Sequence, residues 1–168
     1  MLRKYVSSLL VLFLLCGCTV KQVEGEIIPT ANQEETDVSQ EVAIAEKIME
    51  TLGNSDEMTR IKNRMMVGML LDGNSSVIKG GVLYLAKEED NADAVGVFDT
   101  DQLDECRTYV QQYLSDQKLK AEYYSPDEAF KVSNAVLMDD ESSRIILIIH
   151  KDIENARKIA QQPLQKTQ

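Results

Sequence analysis

An uninterrupted aliphatic run, residues 145–149, stands between Arg144 and His150 near the C-terminus. Successive side chains of a strand point to opposite faces of a sheet, so a strand built from this run is apolar on both faces. Such a strand is buried on both sides and lies in the interior of a sheet. We therefore expect a folded domain built around this strand.

Helical and strand patterns alternate along the chain before this run. Strands are predicted over residues 77–86, 94–98, 135–138 and 144–150. Helices are predicted over residues 41–52, 55–71, 101–119, 126–131 and from 153 to about 162. Strand hairpins that alternate with helices predict an α+β fold, with an antiparallel sheet of about four strands covered by helices in a two-layer sandwich. The strands that contain glycine are expected at the edges of the sheet.

Short polar residues mark the predicted ends of these helices. Gly53 stops the first helix, and Thr100 is predicted to cap the helix that begins at residue 101. Ser125 followed by Pro126 begins the short helix, because proline suits the first helical position. Asp152 is expected to cap the last helix.

The first 18 residues have the pattern of an export signal. Arg3 and Lys4 precede an apolar run over residues 6–15, which has the length of a signal-peptide core. The sequence LCGC at residues 15–18 resembles the lipobox of bacterial lipoproteins. This resemblance implies that cleavage falls directly before Cys18 and that its thiol carries a diacylglyceryl group.

The predicted anchor divides the chain into four parts. Residues 1–17 form the signal peptide, and residues 18–40 form the lipidated Cys18 with an acidic, disordered tether. A coil of this length holds its two ends roughly 25 Å apart. Residues 41–162 form a single α+β domain, and residues 163–168 form a C-terminal tail.

The charge of the chain limits its partners. The chain has a net charge of −10, and loss of the signal leaves 16 basic against 28 acidic residues, or −12. Such a chain has no excess of Lys and Arg to displace the counterions of a nucleic acid, so nucleic-acid binding is excluded. The same charge opposes docking on anionic lipids, so we expect the acyl chains to hold the protein on the membrane.

The order of motifs after the lipobox is similar to that of a known family. The shared segments are VGVF at 95–98, YSPDE at 124–128, NAV at 134–136 and RIILII at 144–149. The chain resembles, over about residues 42–160, a family of uncharacterised lipoproteins that carry a domain of unknown function and occur in low-GC Gram-positive bacteria. The family has no established activity, so the resemblance implies no catalytic residue. The methionine-rich run at 65–69 departs from its pattern.

Two residues are candidates for chemistry, and each has a plain structural alternative. His150 is the only histidine, and it is either a general base beside an acidic partner or a strand-end residue next to a helix cap. Cys106 lies on the apolar face of a predicted helix beside Asp104 and Glu105, which favours a buried core cysteine over a reactive thiol. These two residues are too few to build a zinc site, and we predict no metal, cofactor or catalytic residue.

Three further groups of residues are open to a binding interpretation. The acidic segments 88–93 and 139–141 lack the ligand pattern of a calcium loop, so we expect solvated turns. The four methionines at 58, 65, 66 and 69 are either core residues or an adaptable binding surface. Tyr123 and Tyr124 are candidates for a small interface.

The sequence thus predicts a lipid-anchored protein on the extracytoplasmic face of the cell membrane. Its molecular activity is unknown, and a non-catalytic binding or interaction domain with an envelope protein as partner fits the pattern best. A small envelope hydrolase that uses His150, or a small-ligand-binding accessory lipoprotein of a transport system, are the alternatives.

Overall fold

The centre of the domain is an antiparallel sheet. The computed structural model describes residues 39–140 and 142–162. Within them five strands pair in one sheet: β1 (Met58–Arg60), β2 (Gly80–Ala86), β3 (Ala94–Asp99), β4 (Val136–Asp139) and β5 (Arg144–Ile149). Their order across the sheet is β1-β2-β3-β5-β4, and every neighbouring pair is antiparallel. The aliphatic strand β5 is therefore interior, as predicted, with β3 and β4 on its two sides.

Helices cover both faces of this sheet. They are α1 (Gln40–Leu52), α2 (Asn63–Leu70), α3 (Leu103–Tyr124), α4 (Pro126–Ser133) and α5 (Ile153–Gln161). The residues of β5 alternate between two cores. Ile146 and Ile148 belong to the core shared with α1 and α5, whereas Ile145, Leu147 and Ile149 belong to the core shared with α2, α3 and α4.

The predicted α+β fold, an antiparallel sheet covered by helices, is confirmed. Two details differ from the prediction. The sheet has five strands instead of about four, and helices on both faces give three layers instead of two. The physical reason for the third layer is β5 itself, because a strand that is apolar on both faces needs cover on both.

The helix predicted over residues 55–71 is wrong in its first half. Residues 55–57 form a single 3-10 turn, and β1 follows at once, pairing Met58 with Ala86 of β2. Met58 is buried in the core under α1. An apolar residue followed by polar ones satisfies a helical or a strand pattern over so short a stretch, so spacing alone does not separate the two.

The glycine-containing strands β2 and β3 are interior, not at the edges as expected. The edges are the short strands β1 and β4. Glycine in β3 has a packing reason, because a Cβ at Gly96 would lie 2.5 Å from Cζ of Phe98. A glycine in a strand marks a close approach here, not an edge.

Three of the four predicted helix ends are found. Gly53 ends α1 with a φ of 75°, Ser125 accepts a hydrogen bond from the Asp127 amide at the start of α4, and Asp152 caps α5. The prediction for Thr100 is wrong, because α3 begins at residue 103 and its N-cap is Gln102. The Thr100 hydroxyl instead donates to the Val77 carbonyl at 2.6 Å and accepts from the Gln102 amide at 2.8 Å, before the helix starts. Helix α3 also continues to residue 124, because no residue before Ser125 ends it.

The predicted signal peptide, the lipidation site Cys18, the tether up to residue 38 and the C-terminal tail lie outside the described residues. Helix α1 begins at Gln40, one residue before the predicted start of the domain. In the part of the chain that the structure describes, none of the helices combines the length and the hydropathy needed to cross a bilayer.

Candidate functional site

Polar side chains from four parts of the chain meet in the interior at one end of the sheet. Asn54 follows α1, Asp93 precedes β3, Lys131 lies in α4 and His150 follows β5. All four are buried, with 4–8% of their surface exposed. Together with Asn91 and Glu128, which contact Lys131, they form what we call the polar cluster.

Lys131 is the centre of the polar cluster. Its Nζ lies 2.7 Å from Oδ1 of Asp93, 2.8 Å from Oδ1 of Asn91 and 2.6 Å from Oε2 of Glu128. An ammonium group has three N–H donors, so these three acceptors satisfy it completely. Burial acts to lower the pKa of Lys131, but the hydrogen bonds to Asp93 and Glu128 outweigh it and raise the pKa above 10.5. Lys131 therefore stays protonated, and its ion pair and hydrogen bond connect α4 to the loop that joins β2 to β3.

Glu128 and Asn91 also accept hydrogen bonds from backbone amides of that loop. Oε2 of Glu128 accepts a hydrogen bond from the Ala92 amide at 2.7 Å. Oδ1 of Asn91 accepts one from the Asp93 amide at 2.9 Å. Because both side chains also contact Lys131, the loop and α4 are held in one arrangement.

His150 lies on the other side of Asp93. Its Nδ1 accepts a hydrogen bond from the Asp152 amide at 3.1 Å, so the neutral ring carries its proton on Nε2. Nε2 lies 4.0 Å from Oδ2 of Asp93. A general base needs a free ring nitrogen that a substrate can reach, and in this conformation Nδ1 is occupied and the ring is buried. The arrangement fits the strand-end interpretation of His150.

Asn54 completes the surroundings of Asp93. Its Nδ2 donates to Oδ2 of Asp93 at 3.5 Å. Its Oδ1 is buried and has no hydrogen-bond partner in the described part of the chain. The side-chain amide thus turns its donor toward the carboxylate, as the negative charge requires.

An open cleft adjoins the polar cluster. It has a volume of about 240 Å³ and lies between the β2–β3 loop, the second half of α3 and α4. Its polar lining consists of three carboxylates, two amides and one ammonium group, from Glu89, Asp90, Glu128, Asn91, Gln117 and Lys120. Glu128 and Asn91 belong both to the cleft and to the polar cluster, so the buried ion pairs fix one wall of the cleft.

Cys106 is a core residue, as predicted. It is fully buried between α3 and the sheet, and burial raises the pKa of its thiol to about 11. The described residues contain no group of three or more His, Cys, Asp or Glu side chains that could hold a metal ion.

The two acidic segments, predicted as solvated turns, are solvated only in part. Glu88, Glu89 and Asp90 are exposed, as predicted. Asp93 of the first segment is buried in the polar cluster. In the second segment Asp139 pairs with Arg107, and Oδ2 of Asp140 lies 2.6 Å from a guanidinium nitrogen of Arg144. These carboxylates are neutralised by basic side chains.

The methionines divide between core and surface. Met58 and Met66 are buried, whereas Met65 and Met69 are about half exposed on the outer side of α2. Tyr123 is 86% exposed at the end of α3, and the side chain of Tyr124 lies outside the described part of the structure.

Sequence reasoning did not find Asn54, Asp93 or Lys131. The spacing of Glu128 and Lys131 is typical of an ion pair on a helix, and this is the one signal that the sequence carries. Asp93, the other carboxylate partner of Lys131, is 38 residues away along the chain, and only the fold brings it to α4.

A scan against protein-family models, a search of curated proteins and a search of solved structures each find no match.

Proposed function

We propose that this protein is a non-catalytic binding domain, held by a lipid anchor on the extracytoplasmic face of a bacterial cell membrane. The observation that carries the binding part is the open, polar cleft whose wall is fixed by the buried Lys131 cluster. A rigid concave surface of this kind is prepared to bind without first ordering its own loop.

The polar cluster supports binding over catalysis. Every N–H of Lys131 is engaged, and its raised pKa keeps it protonated, so it offers neither a nucleophile nor a base. Nδ1 of His150 is likewise engaged by the Asp152 amide. The charged groups hold one another instead of facing a substrate.

The charge of the cleft indicates the chemistry of its partner. Glu89 and Asp90 oppose a single basic side chain, Lys120, in the lining, whereas the third carboxylate, Glu128, is paired with Lys131. A partner that presents amines or guanidinium groups would therefore be attracted, whereas an anionic one would be repelled. Replacing the exposed Glu89 and Asp90 together by lysine tests this. We expect less partner in chemical crosslinks from intact cells analysed by mass spectrometry, and an unchanged yield would contradict the charge argument.

The anchor part of the proposal is supported by the lipobox at residues 15–18 and has its own test. A Cys18→Ala variant should lose labelling by radioactive palmitate and leave the membrane fraction. The matched control is Cys16→Ala, which should keep both, because the lipobox resemblance makes Cys18 the acylated residue. Continued labelling of the Cys18→Ala variant would contradict the proposed lipid anchor, and it would leave the proposal that the cleft binds a partner unaffected.

A further inference from the structure

His150 joins the end of β5 to the start of α5. Its Nδ1 accepts a hydrogen bond from the backbone amide of Asp152, which is the cap of α5. Oδ1 of Asp152 accepts from the Asn155 amide at 3.1 Å, and its carbonyl accepts from the Ala156 amide at 3.0 Å. Loss of the hydrogen bond at Nδ1 would therefore free the residue that caps the first turn of α5.

The hydrogen bond between His150 and Asp152 exists only while Nδ1 carries no proton. A neutral imidazole has one donor nitrogen and one acceptor nitrogen, whereas an imidazolium has two donors. Protonation of Nδ1 would place its N–H against the N–H of Asp152. The amide would then lose its acceptor, and either the ring or the chain must move.

Charged groups from three parts of the chain lie near His150. Asp93 faces Nε2 at 4.0 Å, and Lys131 contacts the other oxygen of the same carboxylate. Glu128 is the second carboxylate that contacts Lys131, at 2.6 Å from its Nζ. On the His150 side, Lys151 and Asp152 are its exposed neighbours along the chain, of opposite charge. Asp93 and Glu128 lie against one lysine, so these three groups together carry one net negative charge.

We propose that His150 makes the junction of β5 and α5 sensitive to pH. At neutral pH the uncharged ring holds the Asp152 amide and fixes the start of α5. On acidification Nδ1 takes up a proton from solvent, the Asp152 amide is released, and Nε2 moves toward Asp93. The first turn of α5 then opens. This inference does not depend on what the cleft binds.

The single histidine makes nuclear magnetic resonance a direct test, because its ring signals need no assignment. The full-length, ¹⁵N-labelled chain is titrated from pH 8 to pH 5 in detergent micelles. We expect the Nε2–H tautomer at pH 8. As the ring takes up its proton, hydrogen exchange at the Asp152 amide, corrected for the intrinsic effect of pH, should rise about fivefold with the same midpoint, as the loss of one hydrogen bond implies.

The matched control is His150→Asn, whose side-chain oxygen replaces Nδ1 as an acceptor and does not titrate in this range. In this variant the Asp152 amide should stay protected from pH 8 to pH 5. The proposal is overturned if the ring is the Nδ1–H tautomer, if it takes up no proton above pH 5, or if its titration leaves the Asp152 amide unchanged. An equal pH dependence in His150→Asn would also overturn it. If that variant does not fold, the titration of the unchanged chain decides alone.

Discussion

The ring of Phe98 covers Gly96, two residues earlier on the same face of β3. A Cβ at position 96 would lie 2.5 Å from Cζ and 2.8 Å from Cε2 of that ring. Phe98 is fully buried and belongs to the core that α3 covers. The central strand β3 can thus accommodate the ring of Phe98, because Gly96 beneath the ring has no side chain.

Gly96→Ala should destabilise the domain by about 2 kcal/mol, because the added methyl group forces a buried ring out of its position. The free energy of unfolding, measured by chemical denaturation, checks this. Gly68→Ala in α2 is the control, since its Cβ would meet no atom within 4 Å. There we expect a gain of about 0.5–1 kcal/mol, the ordinary helix preference for alanine. Equal effects at the two positions would contradict the packing argument.

The thiol of Cys106 should make stability depend on pH in alkaline solution. Burial raises its pKa to about 11 in the folded chain, against 9.0 for a thiol in water. The folded state thus binds the proton more tightly, so the stabilisation is complete below pH 9 and is lost as the pH rises through about 11. The loss amounts to about 2–3 kcal/mol, since each pKa unit is worth 1.36 kcal/mol.

The Cys106→Ala variant isolates this contribution. Between pH 9 and pH 11 its free energy of unfolding should fall less steeply than that of the unchanged chain, whatever its stability at neutral pH. Parallel curves for the two proteins would show that the thiol is not the group responsible.

Asp93 and Lys131 should be strongly coupled. Lys131→Met leaves the buried Asp93 without its counter-charge, which costs about 3–5 kcal/mol, whereas Asp93→Asn leaves Lys131 its second carboxylate, Glu128, and should cost less. The double variant should lose clearly less than the sum of the two single losses, as measured by chemical denaturation. The pair Lys79 and Asp101, 2.5 Å apart but exposed, is the control and should show no measurable coupling. Coupling no larger at the buried pair than at the exposed one would refute the role assigned to Lys131.

The part of the fold that the sequence predicts best is the part that local pattern determines. Residues 145–149 predict the interior strand β5, and Ser125 with Pro126 predicts the start of α4. Each of these depends on neighbours along the chain. The stretch from residue 55 to residue 62 is too short for its apolar spacing to decide between helix and strand, and its pairing with β2 comes from the fold.

The polar cluster was beyond sequence reasoning for a different reason. His150 was a candidate because it is the only histidine, but Asp93 and Asn54 belong to polar stretches that predict exposed turns. Their burial depends on the four chain segments that meet at one end of the sheet. The three acceptors of the buried lysine come from different segments of the chain, so the sequence of any one segment does not predict the site.

The most direct test of the binding proposal is a photo-crosslinking amino acid placed at one of two positions of α3 in intact cells. Gln117 lines the cleft, whereas Leu119 is 68% exposed and lies almost opposite on the helix, since two residues turn it by about 200°. We predict a discrete light-dependent adduct from position 117 that is absent from position 119 and weakened by the Glu89 and Asp90 lysine variant. An adduct from position 119 alone, or none from either, would contradict the assignment of the cleft as the binding surface.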